Sequence, residues 1–336
     1  MKRSKHLLTL AMSLTMAFAF IFVGCKKDKD DDNSNNNKIE ANYFAIQGAS
    51  FVDSNFPSPN SDITLDNVNI NANALPGGSL PVSINFDGNI SKIYVGVEGV
   101  NGHYEVTPST AKKTANSYPL MINVSQNLTE SFTIQISILT EDGLTTQVFE
   151  KTINYIEAGT GALQISLAFD NEKDVDLYVV RPDSLVIYYG NKGPGDYDEE
   201  GNYVRVWGLD IDSNAGCGID GINNENVFFP KGYVMSGTYQ VWVNMYSNCA
   251  PQERETIWTI STTYQGSFIG VSSGENPAAG VFAIDEPSNS IGGYLNENAI
   301  KVMEFEIVNG DDSLLETYKT TFPLDASAKQ KLENIF

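Results

Sequence analysis

Two aspartate pairs share one spacing: Asp174 and Asp176 in "DVDLYVV", and Asp210 and Asp212 in "GLDIDSN". On a strand, residues two apart point to the same face and stand about 7 Å apart. An apolar core does not accept two unpaired carboxylates on one face. Each pair must therefore meet water, hydrogen-bond donors or a cation. Glu225 follows within the same polar stretch, so Asp174, Asp176, Asp210, Asp212 and Glu225 form a candidate all-oxygen ligand set. Calcium takes six to eight such oxygens, and Asn side chains and backbone carbonyls would complete them. "DIDSN" matches positions 1, 3 and 5 of the helix-flanked calcium loop, but the match ends there. Ala215 stands where that loop needs glycine, and Gly221 where it needs a bidentate glutamate. The competing reading is that these Asp and Asn side chains cap turns through their own backbone.

A second candidate surface lies in "TYQVWVNMY". Tyr239, Val241, Val243 and Met245 make one face of this strand, suited to the core. Gln240, Trp242, Asn244 and Tyr246 make the other. Trp242 and Tyr246, interleaved with amides, could stack a sugar ring and bond its hydroxyls; the alternative is that they pack beneath another segment. Nucleophilic catalysis has little to work with. The chain has two histidines, His6 in the leader and His103 in the first half, so no Ser-His-Asp, Cys-His or histidine-zinc arrangement can form in the second half. No phosphate-binding loop or dinucleotide fingerprint is present. Carboxylate-only catalysis of the glycosidase kind is all that survives, and nothing specifies it. The expectation is a protein that is not an enzyme.

The elements that must position these residues read as strands throughout. From Asn42 to Ile156, apolar residues alternate with period two, as in "PVSINF" and in "FTIQISILT", where Phe132, Ile134, Ile136 and Ile138 share a face. The turn at Glu141–Gly143 is a hairpin signal. "EAGTG" is a linker, after which "ALQISLAFD" puts Leu163, Ile165, Leu167 and Phe169 on one face. The fold expected is all-β: two tandem antiparallel β-sandwiches, the first immunoglobulin-like. With a formal charge of −21, the chain offers no basic surface to neutralise phosphates, so nucleic acid is excluded as a partner.

The N-terminus combines Lys2, Arg3 and Lys5 with the apolar run Leu7–Val23 and ends in "IFVGC". It resembles a bacterial lipoprotein signal peptide, with Phe22 where the motif usually has leucine. That resemblance implies residues 1–24 as the signal peptide and Cys25 as the lipidated first mature residue, anchoring the protein to a membrane; the alternative is an uncleaved N-terminal anchor. The tether "KKDKDDDNSNNNK" has no apolar residue to bury and stays solvated, giving a disordered acidic segment over 25–41. Its lysine and acidic run resemble the surface-export signals of Bacteroidetes lipoproteins, which implies display on the outer membrane of a Gram-negative cell. Outside the cytoplasm, an even pair of remaining cysteines favours a disulfide, so Cys217 and Cys249 are expected to bond; two free thiols are the alternative.

Three stretches in order, Asp174–Asn191, Leu209–Pro230 and Ser236–Cys249, resemble the YfaP-type domain of unknown function found in extracytoplasmic bacterial proteins. The likeness covers Gly161 to Gly270 and departs from the family in the insertion Lys192–Gly208. It implies a β-sandwich and export, and brings no activity. The boundaries expected are 42–157 for the first sandwich, 161–310 for the second, and 311–336 for an extension whose "DASAKQKLENIF" could form a short helix. The function expected is a non-catalytic, surface-anchored binding or adhesion lipoprotein, calcium-stabilised, with an unknown extracellular protein or glycan as partner. The alternative is a glycan-binding accessory lipoprotein of a polysaccharide-uptake system.

Overall fold

Period-two alternation is realised in the strands that build the two cores. Phe132, Ile134, Ile136 and Ile138 line the first core, and Leu163, Ile165, Leu167 and Phe169 are fully buried in the second. The computed structural model describes residues 37–108, 117–292 and 295–315; the leader, Cys25, the tether through Asn36 and the C-terminal helix expected at 325–336 lie outside the described residues.

The first sandwich is immunoglobulin-like and antiparallel but for one short parallel pair. One sheet orders its strands Phe44–Ala45, Ser117–Val124, Ser79–Asn85 and Val68–Ile70. The facing sheet runs Ser50–Val52, His103–Val106, Ile90–Val97, Phe132–Thr140, Phe149–Tyr155 and Asn73–Ala74, the last pair being parallel. Order starts before the boundary expected at 42. A short helix, Lys38–Asn42, is capped by the Asn37 side chain and buries Ile39 completely. One apolar residue inside a polar run is enough to fix that turn against the core.

The second sandwich sets Gly208–Asp212, Asn224–Phe229, Leu163–Phe169 and Thr256–Tyr264 in one sheet. The other contains Val186–Ile187, Asp174–Val180, Gly237–Ser247, Ile300–Ile307 and Ser273–Gly274. The insertion Lys192–Gly208 forms its own hairpin, Gly195–Tyr197 paired with Tyr203–Arg205, set off from both sheets.

The two sandwiches meet along a seam of amides and hydroxyls. Ser79 Oγ donates to Thr259 Oγ1 at 2.8 Å, Gln164 Nε2 donates to the Pro76 carbonyl at 2.9 Å, and Ser261 Oγ donates to the Gly77 carbonyl at 3.2 Å. Alternation alone would place Gln164, Ser166, Thr259 and Ser261 on a solvated face; the first sandwich buries all four. The three hydroxyls and the Gln164 Nε2 are paired, as burial favours, whereas Gln164 Oε1 is buried without a hydrogen-bond partner.

Candidate metal centre

The aspartate-rich sequence collapses onto one end of the second sandwich. Asp176, Asp212 and Glu225 each offer a carboxylate oxygen, and these three atoms lie within 4.8 Å of one another. Asp176 comes from the strand Asp174–Val180, Asp212 from the end of Gly208–Asp212, and Glu225 from Asn224–Phe229, directly opposite Asp212 in register. Each carboxylate has one oxygen held by a donor. Glu225 Oε2 accepts the Leu177 N–H at 2.7 Å, Asp176 Oδ2 accepts the Tyr178 hydroxyl at 3.1 Å, and Asp212 Oδ2 pairs with Lys192 Nζ at 2.7 Å. The other oxygens of Glu225 and Asp212, Oε1 and Oδ1, are buried without a hydrogen-bond partner. Glu225 is only 1 % exposed. A buried, unengaged carboxylate oxygen is costly unless something compensates it.

The electrostatics agree. Burial pushes the Glu225 carboxyl well above its usual range, and the charges of Asp176 and Asp212 push it further. Burial, then the neighbouring Asp174, raises Asp176 in the same way. Asp174 is pushed up to about 6, first by burial and then by Asp212, against the opposing N–H of Gly216. These carboxyls hold protons tightly because, among the described residues, Lys192 is the cation paired with the cluster, and it meets Asp212 alone. A divalent cation would invert that balance.

A cavity of about 80 Å³ opens beside the cluster, lined by Asp174, Asp176, Asp212, Tyr189, Tyr246, Ala215 and Gly216. Both members of the first aspartate pair thus line the site. Asp174 Oδ2 also accepts the Gly216 N–H at 2.7 Å, fastening the loop across the cavity.

The second pair does not behave as its spacing predicts, and the assignment of Asp210 is corrected. Leu209 pairs with Val227 and Ile211 with Asn226, so Asp210 is the extra residue of a β-bulge. The bulge reverses the alternation. Asp212 takes the interior face beside Glu225, whereas Asp210 turns away. Its Oδ2 accepts the Gly159 N–H at 2.5 Å and its Oδ1 accepts Asn226 Nδ2 at 2.7 Å, which pins the linker between the sandwiches.

Turn capping accounts for part of the loop as well. Asn214, fully buried with φ 57°, donates to the Lys173 carbonyl and accepts the N–H groups of Asp220 and Gly221. It is the spine of the loop and takes no part in the acidic cluster. Cys217 and Cys249 form a disulfide that fastens the same loop to the end of the Gly237–Ser247 strand. On the far side, Asn73 Nδ2 of the first sandwich donates to the Gly221 carbonyl at 2.6 Å.

Trp242 and Tyr246 occupy the outward face, as alternation implies, but do not form one platform. Asn244 between them is fully buried and donates to the Asn289 carbonyl. The Trp242 indole is half-buried and donates to Gln240 Oε1. Tyr246 instead reaches the acidic cavity, where its ring meets Tyr189 edge-on at 5.2 Å. Sequence reasoning missed Tyr189, Tyr178 and Lys192. Tyr178 stands two residues after Asp176 on the same strand, a same-face spacing that could have found it; Tyr189 follows Tyr188 with no distinguishing spacing, and Lys192 opens the insertion.

No family model and no curated protein matches the chain. Similar solved structures include SGBP-B of the Bacteroides ovatus mixed-linkage glucan utilization locus, in complex with a mixed-linkage heptasaccharide. It is 11 % identical over 58 % of this chain, which spans 40 % of that protein's chain, with a TM-score of 0.18. The fibronectin(III)-like modules of Clostridium thermocellum CbhA are 10 % identical over 65 % of this chain and 93 % of theirs, with a TM-score of 0.19. Neither superposition is close enough to carry a residue or a ligand across.

Proposed function

We propose that this chain is a non-catalytic, surface-anchored lipoprotein whose second sandwich is a binding module braced by a divalent cation. The observation that carries the cation is the Glu225 carboxylate, buried beside Asp176 and Asp212 with one oxygen unengaged. An all-carboxylate set favours a hard cation, and the open, irregular geometry of a strand end suits calcium better than the strict octahedron of magnesium. Titration calorimetry on metal-stripped protein tests this: calcium should bind with one site per chain and more tightly than magnesium. A flat titration, together with an unfolding midpoint indifferent to calcium and chelator, refutes it.

Anchoring rests on the leader and Cys25. Incorporation of a radiolabelled fatty acid that is lost in Cys25→Ala tests lipidation, and digestion by protease added to intact cells tests surface display. The partner is an extracellular protein or a glycan. The second reading, a glycan-binding accessory of a polysaccharide-uptake system, is favoured by one specific observation: Tyr246 and Tyr189 flank the acidic cavity.

A further inference from the structure

The cation site is incomplete as a purely protein shell. Calcium takes about six to eight oxygens. Asp176, Asp212 and Glu225 each already commit one oxygen to a protein donor, Tyr178, Lys192 and Leu177 respectively. What they have left is about three inward oxygens, leaving about three or more coordination positions to be filled from outside. Asp176 and Asp212 line the cavity beside Glu225, so an ion held by the three carboxylates has that side open to it. Its volume of about 80 Å³ admits two or three oxygen-sized groups, each needing roughly 30 Å³.

We propose that this open face of the bound cation is a ligand site, and that its ligand is a neutral sugar presenting a vicinal pair of hydroxyls. The inference rests on the cation reading above and adds the ligand class to it. Charge selects the neutral ligand. Asp174, Asp176, Asp212 and Glu225 outweigh one divalent ion and the Lys192 ammonium, so the loaded site keeps a residual negative charge and repels carboxylates and phosphates. Shape selects the diol. Two adjacent hydroxyl oxygens can replace two waters on the ion without adding charge. The Tyr189–Tyr246 pair at the rim, one ring edge-on to the other, gives the C–H face of the same sugar an aromatic surface and two phenol hydroxyls. The Cys217–Cys249 disulfide and the Gly216–Asp174 hydrogen bond hold the opposite wall, so the site is formed before the ligand arrives.

The test uses the full folded chain and a panel of neutral gluco-, manno-, galacto- and xylo-oligosaccharides, read by calorimetry with calcium or with chelator. A member of the panel should bind in calcium and lose at least tenfold in affinity in chelator. Tyr246→Ala should cost at least tenfold while keeping the calcium-induced rise in unfolding midpoint, which also reports that the variant is folded. Tyr246→Phe should retain most of the binding, and Trp242→Ala should bind like the parent because Trp242 does not line the cavity. A calcium-induced rise with no sugar bound overturns this inference and leaves the cation reading standing. Absence of any calcium response overturns the cation reading itself. Sugar binding that survives chelator or Tyr246→Ala, or a preference for galacturonate oligomers over neutral ones, also overturns the inference.

Discussion

Glu225→Gln separates a buried charge from the shape that carries it. Glutamine keeps an acceptor for the Leu177 N–H, so the backbone contact survives. With carboxylate oxygens within 4.8 Å of each other and an effective dielectric constant of about 20, each fully charged pair repels by about 3.5 kcal/mol. The metal-free protein avoids most of this by retaining protons, so the relief from removing one carboxylate should be about 1 to 3 kcal/mol. At about 2–4 °C per kcal/mol, the metal-free unfolding midpoint should rise by several degrees. Calcium should do the opposite to the comparison. At a hundredfold excess over Kd it adds about 2.7 kcal/mol to the parent, or about 5–11 °C, and the variant should lose most of that increment. Scanning calorimetry of both proteins, each with calcium and with chelator, measures all four midpoints. A variant that is less stable without metal and responds to calcium like its parent would refute the assignment of Glu225 as a compressed, ion-awaiting carboxylate.

Four further outcomes are expected. Metal-free protein should lose stability as pH rises. The folded-state pKa values of Asp174, Asp176 and Glu225 are raised, so their contribution is full below the ordinary carboxylate range near about 4 and is lost through about 6 for Asp174 and about 8 for Asp176, with Glu225 acting in the same direction; denaturant melts at pH 5 and 8 check it, and calcium should reverse the trend. Asp210→Asn should leave calcium affinity unchanged and cost about 1–2 kcal/mol by weakening its hold on Gly159 and Asn226, as calorimetric titration and denaturant melts would show. Lys192→Met removes a cation 2.7 Å from Asp212 and should tighten calcium binding about threefold to tenfold, by less at high salt. Cys217→Ser with Cys249→Ser, opening a loop of sequence separation 32, should cost about 3 to 4 kcal/mol in the chain-entropy model and weaken calcium by roughly tenfold through the freed Gly216–Asp174 wall.

Strand periodicity made the fold legible, since each core face could be read directly from residues two apart. The Cys217–Cys249 disulfide was legible from the even pair of cysteines together with the expected export of the chain. The acidic cluster was only half legible, and the reason is local. D-x-D spacing assumes unbroken alternation, and nothing in "GLDIDSN" announces that Asp210 will be the extra residue of a bulge. Asp212 reaches Glu225 only because of that bulge. Tyr189 and Lys192 lie outside the acidic motifs and enter the site by tertiary packing alone. The seam between the sandwiches was hidden for a related reason. Gln164, Ser166 and Thr259 alternate with the core exactly as surface residues do, and only the partner sheet distinguishes the two cases.

That seam bears on how the molecule would carry mechanical load. If the chain is held at its N-terminal end and pulled through a ligand on the second sandwich, force crosses the Ser79–Thr259 and Gln164–Pro76 contacts and the linker pinned by Asp210. A joint with this many hydrogen bonds exposes polar groups as well as the buried Leu75 and Phe228 side chains when it parts. Water can take up each freed amide and hydroxyl, and the same partners can find each other again when tension falls. The sandwich cores, held by apolar packing, would remain intact while the joint gives way, so the first compliance of the chain would lie between its domains.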